Sequence, residues 1–258
     1  MNRIDTHELA AWLDQTLQPA RFKDYAPNGL QVEGKASVGH IIAGVTATEA
    51  LLRVAIERGA DALLVHHGWF WRNEDARVRG PRRNRLALTL AHDLNLFAYH
   101  LPLDAHPQLG NNAQLARVLG LEPEADANGS PRTCGRDNLI WLGSAPGIAT
   151  VGELTARIAE RLQRTPQVIG DPDQPAGRIA WCTGGAQGMY TEALDAGAQV
   201  YITGEISEPC VHTARETGTT FISAGHHATE RYGVQALGEA VARQFGIRVD
   251  FVDIDNPV

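Results

Sequence analysis

Apolar positions in the first part of the chain alternate between short continuous runs and stretches with helical spacing. After Asp5-Thr6-His7-Glu8, which reads as a helix N-terminus, Leu9, Trp12, Leu13 and Leu17 form one apolar stripe, as a docking helix requires. Beyond the turn at Pro27-Asn28-Gly29 the pattern predicts strand 40–46, helix 47–58, strand 62–66, helix 82–94, strand 96–100 and helix 112–119. A polar, turn-rich segment, 121–131, reads as a linker. A second alternation follows, with strands at 139–142, 167–170, 178–182, 200–203 and 220–223 and helices at 151–162, 189–196 and 208–217. A helix ending near Phe245 and a strand at 247–252 complete it. This order favours a largely parallel sheet covered by helices.

Three motifs fall where this pattern puts ligands, at or just beyond the carboxyl ends of strands. The first is His66-His67, after an apolar run and before Gly68. If the strand continued, the two side chains would point to opposite faces, so both can ligate only where it breaks, and Gly68 supplies that break. The second is the segment from His100 through Asp104 to His106. Here Pro102 and Pro107 mark a turn; Asp104 reads as a ligand or a cap, and each imidazole as a ligand, a supporting donor or a proton carrier. The third is His226-His227-Ala-Thr-Glu230 at a helix start, where one turn stacks His226 and Glu230 on a single face. His227 lies a step away from that face. Neutral imidazole and carboxylate suit Zn, Fe, Mn or Ni, and the three motifs suffice for one or two ions. If His226 and Glu230 complete the site that His66 begins, the C-terminal part returns to the first domain. The expected division is therefore 1–125 plus 222–258, with 126–221 inserted.

The chain has 258 residues and is 43% hydrophobic, enough to bury a sizeable core. Its N-terminus lacks an apolar secretion core and no run approaches the roughly 18 apolar residues of a membrane span, so a cytoplasmic protein is expected. Cys134, Cys182 and Cys210 have no metal or disulfide spacing and read as idle thiols. A net charge of −7 argues against broad binding to nucleic acid. Arg72, Arg77, Arg79, Arg82, Arg83 and Arg85 read first as a solvated face, although Arg82 and Arg85 beside a metal cleft would suit a phosphorylated substrate. Thr183-Gly184-Gly185 reads as a tight strand-to-helix turn in preference to a phosphate cradle, because it lacks the P-loop Lys-Ser/Thr and the full GxGxxG spacing. Glu205, ending a strand, is either an acid/base or substrate-contacting group or a helix cap.

The motifs VHHGWFW, YHLPLDAHPQLGNN, CTGGAQG, YITGEISE and FISAGHHATERYGVQAL together resemble the GTP cyclohydrolase 1 type 2 family, also called NIF-three-like, in its short bacterial form. The resemblance runs over nearly the whole chain in motif order. It implies the NIF-three-like fold, with two interlinked α/β domains whose largely parallel or mixed sheets are covered by helices, a ring-shaped homohexamer and two divalent metal ions per subunit on His66, His67, Asp104, His226 and Glu230. It also implies a hydrolase acting on a nucleotide-like or other small substrate, with Glu230 or His100 moving the proton. The competing reading is a non-enzymatic metal-binding ring or partner-presenting scaffold. DNA threading through such a ring would need an arginine-lined pore, against the acidic balance of the chain.

Overall fold

The computed structural model describes residues 2–258, which form two compact units. Among the described residues the first comprises 2–110 and 233–255, and the second 111–232 and 256–258. The dividing points differ from those expected at 125/126 and 221/222. The helix Asn111–Leu119 packs Leu115 and Leu119 into the core around Leu154 and Ile158, and the strand Thr220–Ser223 lies inside the second sheet. Both elements therefore belong to the second unit, as does the start of the helix His226–Phe245.

In the first unit, five strands lie in the order Arg248–Phe251, His40–Thr46, Ala62–His67, Asn95–Ala98 and Gly29–Val32. Adjacent strands are parallel except for Gly29–Val32, which runs antiparallel to Asn95–Ala98. The expectation of a bare turn at Pro27-Asn28-Gly29 misses this edge strand. Alternation along each strand divides the side chains between two cores. Ile41, Ala43, Leu64 and Phe97 face Leu9, Leu13, Leu237 and Val241, whereas Ile42, Leu63, Val65 and Leu96 face Leu51, Leu52 and Ala55. The helix Thr6–Leu17 is capped by Asp5, whose carboxylate accepts from the backbone N–H groups of His7 and Glu8, as its opening residues predict.

The second unit has a seven-stranded mixed sheet. Ile179–Trp181, Val200–Thr203 and Thr220–Ser223 run parallel at its centre, flanked by the antiparallel strands Ile140–Ser144 and Gln167–Ile169. Trp141, Trp181, Val200, Ile202 and Ile222 pack on the helix Val151–Leu162. Tyr190, Tyr201 and Phe221 form a contiguous aromatic set. Cys182 and Cys210 are buried, Cys134 is half-buried, and all three are free thiols. Among the described residues no helix is long and apolar enough to cross a membrane.

Candidate metal centre

In the first unit the site grows from the carboxyl end of the strand Ala62–His67. Pairing to the neighbouring strand Asn95–Ala98 stops at Val65, while pairing to His40–Thr46 continues to His67. The strand, expected to end at His66, therefore runs through both histidines and breaks at Gly68, as expected. Their rings nevertheless lie 4.5 Å apart between centroids, at an end of the strand that is paired on one side only. Gly68 follows under tight packing: a Cβ there would stand 2.3 Å from the Gln31 side-chain oxygen and 2.5 Å from Ala98 Cβ.

His100 follows the strand Asn95–Ala98 and precedes the short helix Leu101–Ala105, where a turn was expected. Pro102 occupies the first helical turn, in which its missing N–H costs nothing. Asp104 lies one turn after His100, its N–H donating to the His100 carbonyl at 3.1 Å. The His–x–x–x–carboxylate spacing of His226 and Glu230 thus occurs twice. A ring nitrogen of each of His66, His67 and His100 lies within 4.8 Å of the others.

His66 Nδ1 lies 2.9 Å from the Tyr99 carbonyl oxygen, which can only accept, so that nitrogen carries the hydrogen. The opposite nitrogen, Nε2, stands 3.4 Å from Asp104 Oδ1, with His66 fully buried and Asp104 6% exposed. In the neutral imidazole, this arrangement sets a lone pair against a carboxylate, and a cation between or beside them resolves the conflict. His67 Nδ1 is fixed by the Thr46 hydroxyl at 3.2 Å. A held Nδ1 with an outward Nε2 is the usual support given to a metal-binding histidine.

The second unit repeats the logic with different partners. His226 lies between two carboxylates: Glu205 Oε1 is 2.6 Å from Nδ1, and Glu230 Oε2 is 3.1 Å from Nε2. Burial disfavours the charged imidazole, but the hydrogen bonds and charges of Glu230 and then Glu205 outweigh it and raise its pKa to about 9. Without a metal, a proton takes the place of the cation. Gly184 makes room for this set at a φ of +69°, where a Cβ would sit 2.0 Å from Glu230 Oε1. Its N–H donates to the Thr229 hydroxyl at 3.0 Å. Gly184-Gly185 is therefore a turn, as expected, and the turn gives the Glu230 carboxylate its clearance.

Several candidate roles change. Glu205 holds His226 Nδ1 and accepts from Gln187 Nε2 at 3.0 Å, which fixes the carboxylate beside the histidine. His106 Nδ1 accepts from the N–H groups of Gln108 and Leu109, so it closes a turn, and burial lowers its pKa. Arg82 stacks on Phe70 at 5.3 Å and donates to the Asp75 carbonyl oxygen, which ties its charge to the loop after the histidine pair. Arg85 is partly buried on the same helix, Gly80–Ala91, and no described contact joins it to the histidines. His227 donates its backbone N–H to the Val258 carbonyl. Sequence reasoning passed over Asp24, which accepts from His100 Nδ1 at 2.9 Å, from the Leu101 N–H at 3.0 Å and from Asn28 Nδ2 at 2.9 Å. No periodicity marks Asp24, because it lies in an irregular segment.

These features define a mixed α/β protein whose histidine and carboxylate groups, at strand and helix ends, can hold a metal ion. The chain matches the family Duf34/NIF3 (NGG1p interacting factor 3) over residues 4–257 and belongs to it. It is 53% identical over 250 residues to a protein of Neisseria meningitidis serogroup B named GTP cyclohydrolase 1 type 2 homolog, covering 97% of this chain and 98% of that one. A solved structure described as protein ybgI, of unknown function, superposes with a TM-score of 0.92 at 46% identity, covering 99% of this chain and 100% of the other. TTHA1606 from Thermus thermophilus superposes with a TM-score of 0.83 at 32% identity, with 99% and 100% covered.

Proposed function

We propose that this protein is a dinuclear metal-dependent hydrolase of a nucleotide-like or other small substrate, with His66, His67, Asp104, His226 and Glu230 serving one centre for two divalent ions. The observation that carries the reading is that His66 and His226 each present both ring nitrogens to acceptors, an arrangement completed by a cation. Names of relatives such as GTP cyclohydrolase 1 type 2 homolog agree with a hydrolytic role. When bound, the ions supply an activated water and polarise the bond attacked. The Tyr99 carbonyl, the Thr46 hydroxyl and the Glu205 carboxylate orient the three ligand imidazoles. Glu230 contributes negative charge that balances the dications, and His100 receives and returns the proton. The ions are Zn, Fe or Mn, and the working form is a homohexamer.

Elemental analysis of protein purified without added metal, followed by a nucleotide panel, tests this. Two equivalents per chain, with both His66→Ala and His226→Ala losing the same ions, support one shared centre. If each variant keeps the other's ion, the donor sets are separate. Bound metal without turnover on any substrate would favour a metal-carrying assembly, and a mass of 27.9 kDa by light scattering would remove the hexamer.

A further inference from the structure

Asp24 and His100 form a unit that the proposed ligand set does not use. The Asp24 side chain is only 3% exposed and the His100 side chain 10%. Both Asp24 oxygens are engaged. Oδ1 accepts from His100 Nδ1 at 2.9 Å and from the Tyr25 N–H at 2.7 Å; Oδ2 accepts from the Leu101 N–H at 3.0 Å and Asn28 Nδ2 at 2.9 Å. Asn28 in turn fixes the backbone at His100, its side-chain oxygen accepting from the His100 N–H at 2.7 Å. The imidazole is held edge-on between Tyr25 and Trp71, with centroids at 5.0 and 5.1 Å and interplanar angles of 69° and 86°. Its flank meets the rings of His66 at 5.1 Å and His67 at 5.7 Å.

Every contact of this carboxylate comes from a donor, so an ionised Asp24 is the form the pocket accommodates. Burial alone would favour the neutral acid, but the hydrogen bonds from His100, Asn28 and the Leu101 N–H lower its pKa. An acceptor-only carboxylate at Nδ1 compels His100 to carry its hydrogen there. Nε2 is then the nitrogen with the lone pair, and it makes no hydrogen bond among the described residues.

We infer that Asp24 is a positioning residue that locks His100 in the Nδ1–H tautomer, with Nε2 bare beside His66 and His67, so that His100 accepts a proton at one fixed point. The inference rests on the hydrolase reading for its use, though not for its geometry. In the transfer, the proton lost by the attacking water goes to Nε2, the Nδ1–H remains on the ring and Asp24 stays ionised. The imidazolium then returns the same proton to the leaving group. Atoms and charge balance without a further reactant.

The test is long-range proton–nitrogen NMR on the full-length, metal-free protein labelled with 15N-histidine, with His100 assigned by its loss in His100→Gln. Wild type should show a protonated Nδ1 and a bare Nε2 at pH 7.5. Asp24→Asn must place an NH2 group where an oxygen accepted; it should convert at least half of the ring population to the Nε2–H tautomer. Zinc titration of the same variant should leave stoichiometry unchanged, because Asp24 and His100 are not ligands in this scheme. An Nε2–H tautomer in the wild type overturns the inference without any variant needing to fold. So does a folded Asp24→Asn protein with the wild-type ring signals. Absence of zinc binding in the wild type would instead overturn the hydrolase reading and leave the tautomer result standing.

Discussion

The two donor sets solve one problem by different means. In the first unit, the imidazoles are oriented by neutral groups, the Tyr99 carbonyl for the fully buried His66 and the Thr46 hydroxyl for the half-buried His67. In the second, His226 is oriented by a carboxylate and faces another, and its side chain retains 28% exposure. Neutral orientation does not draw a proton into the place of the metal, whereas orientation by charge does. The second set is therefore proton-competed, and the protein's affinity for metal should carry the signature of that one imidazole.

The largest expected effect comes from removing charge on the second side. Glu230→Gln keeps the shape, should leave the chain folded, and should lose at least one metal equivalent together with about 10²-fold or more of turnover. Elemental analysis beside the assay checks both, and full occupancy would place Glu230 outside the ligand set. Next comes pH. Because the folded pKa of His226 is raised from 6.5 to about 9, metal binding must displace a proton below that value, and apparent affinity should climb about tenfold per pH unit up to 9. Metal-free stability should follow the opposite sign: the contribution of protonated His226 is complete below 6.5 and lost as pH rises through about 9. Calorimetric metal titrations at several pH values and denaturant midpoints would measure the two trends. Glu205→Gln should flatten both, since one of the two carboxylates holding the proton is gone.

A smaller effect isolates the clearance built for Glu230. Gly184→Ala puts a methyl group 2.0 Å from the Glu230 oxygen at a positive φ, and should cost about 1–3 kcal/mol in urea unfolding while weakening metal binding. The corresponding pressure on the first unit is milder. Arg82→Ala removes the stacking on Phe70 and should lower stability by about 0.5–1 kcal/mol, leaving inorganic phosphate affinity unchanged. A drop in phosphate affinity would restore the arginine to the substrate.

The elements were legible wherever burial imposes a period. The two-sided cores around Leu63 and Leu64, the capped first helix and the stacking of His226 on Glu230 follow from alternation and helical spacing. Legibility failed where tertiary contacts decide. Gly29–Val32 is a short edge strand whose sequence begins in turn residues, and Leu101–Ala105 is one helical turn stabilised by the Asp24 contact to Leu101. Ligand-type residues could be chosen from the sequence because imidazoles at strand ends are conspicuous. Their supports could not, because a backbone carbonyl at Tyr99, a loop carboxylate at Asp24 and a glycine clearance at position 184 have no pattern of their own.

The order of the strands in the first sheet sets a schedule for folding. Arg248–Phe251 pairs in parallel with His40–Thr46 across more than 200 positions of chain. The helix His226–Phe245 supplies Val234, Leu237 and Val241 to the same core. On a ribosome, the second unit's central strands emerge before the first unit's last strand and helix, so the earlier-made sheet waits with one edge and one face unfinished. Closing so long a loop makes this pairing intrinsically slow. The exposed edge of His40–Thr46 is the surface on which chaperones or mispairing would act, and a chain stalled before position 248 should aggregate through it.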